Sequence, residues 1–170
     1  SSSTRTGSAA LSAAGFASQA KMHTRNSVGP SGKVYCGSMR GEKLEGDTSE
    51  FPGGYVMCYD PKADRASNLG MPKTGQSVID VVADEARGLV YAVLKLKGEW
   101  MARHVGTDQW RELGPKALYY GQTILDGKGR AHILTRDSFK LARYDPSTGK
   151  ILVRRIEADE LLLKQHIPNW

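Results

Sequence analysis

The sequence predicts an all-β protein assembled from repeated four-stranded antiparallel units, and three observations carry that prediction. Tyr-Asp-Pro occurs twice, at Tyr59–Pro61 and Tyr144–Pro146, each time after an apolar stretch and before a polar turn. "YVMCY" (Tyr55–Tyr59) and "FKLARY" (Phe139–Tyr144) alternate with the period of two expected of strands. Nineteen glycines and seven tyrosines, with few helical patterns, agree.

Three segments of the chain align. The first is Ser27–Ser38, continued after an insertion by Gly53–Gly70; the second is Asp80–Leu94 with Glu99–Gly114; the third is Thr123–Thr135 with Phe139–Arg155. In each, an apolar strand meets a polar turn containing Gly32, Gly88 or Gly129. A second strand opens at once, with Val34-Tyr35, Val90-Tyr91 and Ala131-His132 in matching places. A third strand leads into Tyr59, His104 or Tyr144, and a fourth ends near Leu69, Leu113 or Val153. His104 is read here as standing where the other copies hold tyrosine.

Turn chemistry accounts for the repeated tripeptide. Asp60 and Asp145 can accept from backbone N–H groups of a turn, and the following proline fixes φ. Thr148-Gly149 then closes the third copy, Gly149 making a positive φ available. The second copy uses "VGTDQW" (Val105–Trp110) for the same turn without proline.

Four short antiparallel strands in a unit of about 40 residues are the signature of a β-propeller blade. The expected blades run over about 23–72, 76–115 and 119–156. They resemble bacterial β-propeller repeat proteins of the NHL-like, quinoprotein-like and gluconolactonase-like group, whose blades read "GxDGKxYxG…YDPxTGKxxxLG". The resemblance covers Lys21–Ile156 and implies a periplasmic or extracellular location. The quinoprotein repeat carries Trp near the end of its fourth strand; Ile151–Arg155 has none, so no quinone is expected.

A propeller closes with about four to eight blades, and three are found. The expectation is therefore a partial propeller. Its ring is completed by more of the same chain, by blades of another chain, or by a second copy giving six blades. "EADELLLKQHIPNW" (Glu157–Trp170) reads as a short closing helix or the lead into a further blade.

Inner strands of all blades converge on one channel, so residues at their beginnings gather from distant parts of the chain. Those beginnings are expected near His23, near Gln76–Asp80 and near Tyr119–Gln122. Lys21, Gln76, Asp80 and Gln122 are candidate ligand-binding residues. His23, Arg25, Tyr119 and Tyr120 are candidate catalytic ones. His23 offers a neutral base near pH 7, and its basic neighbours Lys21 and Arg25 should depress its pKa and hold a carboxylate or sulfate. Tyr119 or Tyr120 offers a proton. Against this stand the plainer readings of a strand-edge histidine and of packing tyrosines.

A His-Tyr-Arg group resembles the sites of propeller polysaccharide lyases, which implies a base, an acid and a charge neutraliser for a uronate. The gluconolactonase-like site instead implies a carboxylate and amide cluster around one divalent ion, for which Asp80 is the single inner-strand carboxylate. The function expected is ligand binding or sensing through a basic channel face, with an acidic carbohydrate lyase or hydrolase as the alternative. A protein-interaction scaffold is a further alternative.

Composition sets outer bounds. The apolar share is 39% and no long uncharged apolar run exists, which argues against a helical membrane span. Net charge is +6, but the basic residues are scattered and lack the paired glycine and aromatic chemistry of an RNA-binding strand. Nucleic acid is not expected as a partner. Cys36 and Cys58 fall on neighbouring strands, where a disulfide is conceivable and two small half-buried residues are the simpler reading.

The first 41 residues contain no Asp or Glu. Ser1–Ser18 reads as a weakly structured tail, with the composition of a transit segment. The insertion Met39–Gly54 is acidic, through Glu42, Glu45, Asp47 and Glu50, and lacks the every-second-residue oxygen pattern of a calcium loop.

Overall fold

The computed structural model describes residues 21–156, apart from 44, 47, 49, 138 and 139. The Ser1–Ser18 tail and the Glu157–Trp170 extension lie outside the described residues.

Among the described residues, thirteen strand segments form three antiparallel sheets in chain order, and each sheet is one blade of β-propeller architecture. The first contains β1 (Lys21–Met22), β2 (Ser27–Val28), β3 (Val34–Met39), β4 (Val56–Asp60) and β5 (Arg65–Asn68). Segments β1 and β2 both pair with β3 and together make one inner strand, broken at His23–Asn26. The second sheet is β6 (Val78–Asp84), β7 (Leu89–Leu94), β8 (Glu99–His104) and β9 (Trp110–Lys116). The third is β10 (Ile124–Leu125), β11 (Ala131–Leu134), β12 (Lys140–Asp145) and β13 (Lys150–Arg155).

Turns between the first two strands of each blade pass through Gly32, Gly88 and Gly129 at φ of 87°, 62° and 72°. A side chain is strained in that region, so the glycine recurs in every copy.

The middle blade is apolar on both faces because it is sandwiched. Val78, Val81, Ala83, Val90, Ala92, Leu94 and Met101 pack against Tyr35, Val56, Cys58 and Leu69 of the first blade. Ile79, Tyr91, Val93, Trp100 and Ala102 pack against Ala131, Ile133, Ala142 and Tyr144 of the third. Alternate residues thus serve opposite neighbours, as the pleat of a strand requires. Trp100 and Tyr91 are fully buried in the second junction.

Register corrects the reading of His104. Val34 pairs with Tyr59 and Ala131 with Tyr144, but Val90 pairs with Arg103. Arg103 therefore occupies the tyrosine position and donates to the Leu69 carbonyl oxygen across the junction. His104 occupies the aspartate position. Its Nδ1 accepts from the Gly106 N–H at 3.2 Å, as Asp60 Oδ1 accepts from Lys62 N–H and Asp145 Oδ1 from Ser147 N–H, each at 3.0 Å. A ring nitrogen replaces a carboxylate oxygen as the turn acceptor.

Cys36 lies opposite Met57, while Cys58 lies opposite Tyr35. The two thiols point to opposite faces of the sheet, which excludes a bridge between them, and both are free.

Candidate functional site

The break in the first inner strand shapes the site. His23 N–H and Thr24 N–H both donate to the Gly37 carbonyl oxygen, at 3.0 and 3.4 Å. The Thr24 hydroxyl oxygen in turn accepts from Gly37 N–H at 2.8 Å, in place of a backbone carbonyl. Such a bulge re-aims the side chains around it. Gly37 permits the close approach, since a Cβ there would meet Val78 Cγ1 at 2.5 Å and Thr24 Cγ2 at 2.9 Å.

His23 and Tyr120 meet across the first and third blades, with ring centroids 6.2 Å apart and planes at 55°. Tyr119 stacks edge-on against Tyr120 at 4.6 Å. Tyr120 has φ of 55°, an unusual conformation for an aromatic residue, inside a turn closed by Gly121 N–H to the Leu118 carbonyl oxygen at 2.6 Å. Both tyrosines remain exposed, and with Gln122, Ile124, Leu134 and Leu141 they line a recess of about 280 Å³.

Among the described residues, His23 Nε2, Gln76 Oε1 and Thr123 Oγ1 are buried without a hydrogen-bond partner. Burial holds the His23 pKa below its ordinary value, and the charges of Lys21 and then Lys95 push it further down. The imidazole is neutral at pH 7. Lys95 has no counterpart in the sequence reading. It reaches this end because its N–H donates to the Ser77 carbonyl oxygen at 2.9 Å, extending the β6–β7 ladder beyond Leu94.

Arg25 and Asp80 are placed with each other. Arg25 Nε donates to Asp80 Oδ1 at 2.9 Å, Arg25 Nη2 to the Thr123 carbonyl oxygen at 3.1 Å, and Thr123 N–H to Asp80 Oδ2 at 2.7 Å. One carboxylate, 1% exposed, thus ties the inner strands of all three blades. The irregular register between Val78 and Asp80 turns it toward Thr123. Burial pushes its pKa up against the pull of Thr123 N–H and Arg25. Among the described residues, no group of three or more His, Cys, Asp or Glu is placed to hold a metal ion.

The acidic insertion folds over the same end. Arg40 Nε donates to the Phe51 carbonyl oxygen at 3.1 Å and Nη1 to that of Gly75 at 3.3 Å, while Gly75 N–H donates to the Pro52 carbonyl oxygen at 2.7 Å. Gln76, immediately after, accepts on its carbonyl oxygen from Gly54 N–H at 2.7 Å. The insertion forms a wall beside the His23 end of the inner strands. No helix of the described residues is long and apolar enough to cross a membrane.

No protein-family model and no curated protein matches the chain. Among solved structures, an auxiliary nutrient binding protein from Bacteroides ovatus aligns over 85% of this chain and 33% of its own, at 10% identity and TM-score 0.55. Virginiamycin B lyase from Staphylococcus aureus aligns over 81% and 42%, at 12% identity and TM-score 0.52. The GH74 xyloglucanase from Xanthomonas campestris aligns over 76% and 22%, at 14% identity and TM-score 0.50. At these identities the likeness is one of fold. This chain spans between 22% and 42% of the length of those three proteins.

Proposed function

We propose that the chain is the three-blade portion of a β-propeller binding domain that holds an acidic ligand at the His23 end of its inner strands. The supporting observation is the meeting of His23 and Tyr120 at 6.2 Å, with His23 Nε2 buried and without a hydrogen-bond partner among the described residues. An unsatisfied buried acceptor or donor costs about 1–3 kcal/mol, which a ligand hydroxyl on His23 Nε2 offsets. Lys21 and Lys95, whose charges reach His23, supply the attraction for an acidic group. The solved relatives named for nutrient binding and for polysaccharide cleavage agree with a carbohydrate ligand.

A lyase reading draws on the same pair, with neutral His23 as base and the Tyr120 phenol as acid. Arg25, engaged with Asp80, is then replaced as neutraliser by Lys21 or Lys95. Titration with oligogalacturonate separates the outcomes. Binding without turnover, weakened by His23→Ala and Tyr120→Phe, supports the binding domain. Appearance of an unsaturated product supports the lyase. No binding at millimolar concentration overturns both.

A further inference from the structure

Past the His23–Tyr120 contact, the inner strands of the first and third blades stay within reach of each other. Arg25 Nη2 donates to the Thr123 carbonyl oxygen at 3.1 Å. A groove of about 280 Å³ opens around this bond, and Arg25, Asn26, Ser27, Val82, Thr123 and Leu125 contribute to its lining. All three blades therefore supply a wall. Arg25 stands two positions after His23, and Thr123 three positions after Tyr120, so the groove prolongs the His23 end along the channel.

Charge in this groove is already balanced. Among the described residues Arg25 is the single charged member of the lining, and its Nε is committed to Asp80 Oδ1 at 2.9 Å. What the lining leaves over is neutral. Thr123 is fully buried, and both of its backbone groups are engaged, the N–H with Asp80 and the carbonyl oxygen with Arg25. Its hydroxyl has no hydrogen-bond partner among the described residues. Asn26 adds a carboxamide and Ser27 a second hydroxyl, with Val82 and Leu125 as apolar surface beside them. Hydroxyls and carboxamides both donate and accept, which suits them to ligand hydroxyls. A second charged group brought here loses water and gains no free counter-ion.

We infer that this groove holds a neutral, hydroxyl-bearing sugar unit joined to the acidic unit at the His23 end, so that the ligand is a mixed saccharide of at least two units. The inference rests on the reading given for His23 and names the class of ligand for that same site. The buried Thr123 hydroxyl takes one hydroxyl of the neutral unit, and Asn26 and Ser27 take others. Asp80 contributes by holding Arg25 and Thr123 in place, and its charge is spent on them. Selectivity for a neutral second unit follows from groups built to pair with hydroxyls, which a carboxylate in the same place leaves unmatched.

Calorimetric titration of the intact chain tests this with galacturonate, digalacturonate, and the two disaccharides that join galacturonate to galactose, one in each order. One mixed disaccharide is expected to bind about tenfold tighter than galacturonate, and digalacturonate no tighter than galacturonate. Thr123→Val should weaken that mixed disaccharide about three- to tenfold and leave galacturonate unchanged. Ser27→Ala, at a half-buried position, should act in the same direction and guards against a Thr123 variant whose melting curve shows that it does not fold. Galacturonate binding that His23→Ala weakens, with no gain for either mixed disaccharide, keeps the reading of the His23 end and overturns this inference. An equal gain for digalacturonate overturns the neutral assignment. A loss of galacturonate affinity in Thr123→Val and Ser27→Ala as large as the loss for the disaccharide also overturns it. No binding of any of the four probes at millimolar concentration overturns both.

Discussion

Tyr35 donates its hydroxyl hydrogen to the Glu85 carboxylate at 3.0 Å, across the junction of the first two blades. One blade further on, the Tyr91 hydroxyl is buried and has no hydrogen-bond partner among the described residues. The two tyrosines hold the same repeat position, so their phenylalanine variants should differ in sign. Tyr35→Phe removes a charge-assisted bond and is expected to cost about 1–2 kcal/mol. Tyr91→Phe removes an unsatisfied group and is expected to be neutral, or to stabilise by up to about 1 kcal/mol. Urea unfolding of the two variants measures both. An equal loss in each would show that Tyr91 has a partner in solution.

Asp80 is the fastener of the inner strands, since Arg25 and Thr123 N–H both donate to it from neighbouring blades. Asp80→Ala leaves the buried Thr123 N–H without its acceptor and the Arg25 guanidinium with the Thr123 carbonyl oxygen but no carboxylate. The expected loss is about 2–4 kcal/mol. Arg25→Ala should cost less, about 1 kcal/mol, because the Arg25 side chain is 45% exposed. If the arginine variant proves the more damaging, Asp80 is not the centre of the network.

Blade architecture was legible because it is written locally. Gly32, Gly88 and Gly129 mark equivalent turns, and the alternation in Val56–Asp60 and Lys140–Asp145 marks third strands. What escaped was anything set by register. His104 reads as a tyrosine substitute until pairing shows Arg103 opposite Val90. Asp80 reads as a ligand-binding residue of the channel, and an irregularity in β6 turns it instead toward Thr123. His23 and Tyr120 could be grouped in advance because both stand near the beginnings of inner strands. Lys95 was not read as a neighbour of His23 because it follows a strand end, and the ladder bond to Ser77 brings it there.

Protonation of His23 gives a pH test whose sign is fixed. Burial and the charges of Lys21 and Lys95 lower its folded pKa. The folded state therefore resists protonation, and the associated stability is fully present above the unfolded pKa of about 6.5. It declines as the pH falls below that value. In NMR titration the His23 ring should titrate below the ordinary value, and Lys95→Gln should raise its midpoint. A midpoint at or above about 6.5 would mean that the ring is solvated and that the lysines are remote in solution.

The free faces of the outer blades lead to a last expectation, the state of assembly. Val28 pairs with Val34, and Val34 with Tyr59, all on the face of the first blade turned away from the second. Leu134 pairs with Leu141, and Ile124 lies opposite His132, on the corresponding free face of the third. Val28 is 67% and Ile124 63% exposed, whereas alternate residues of the same sheets are packed into blade junctions. Each face is built as the middle blade's faces are built, and among the described residues lacks the neighbouring sheet that covers those. Two copies joined head to tail, third blade on first at both seams, give six blades and hide all four exposed faces. Light scattering is then expected to give twice the chain mass, and Val28→Lys or Leu141→Lys, each placing a charge in a seam, should return it to one. A wild-type particle of single-chain mass that unfolds cooperatively would show that three blades are stable without a partner. It would also remove the need for any second copy.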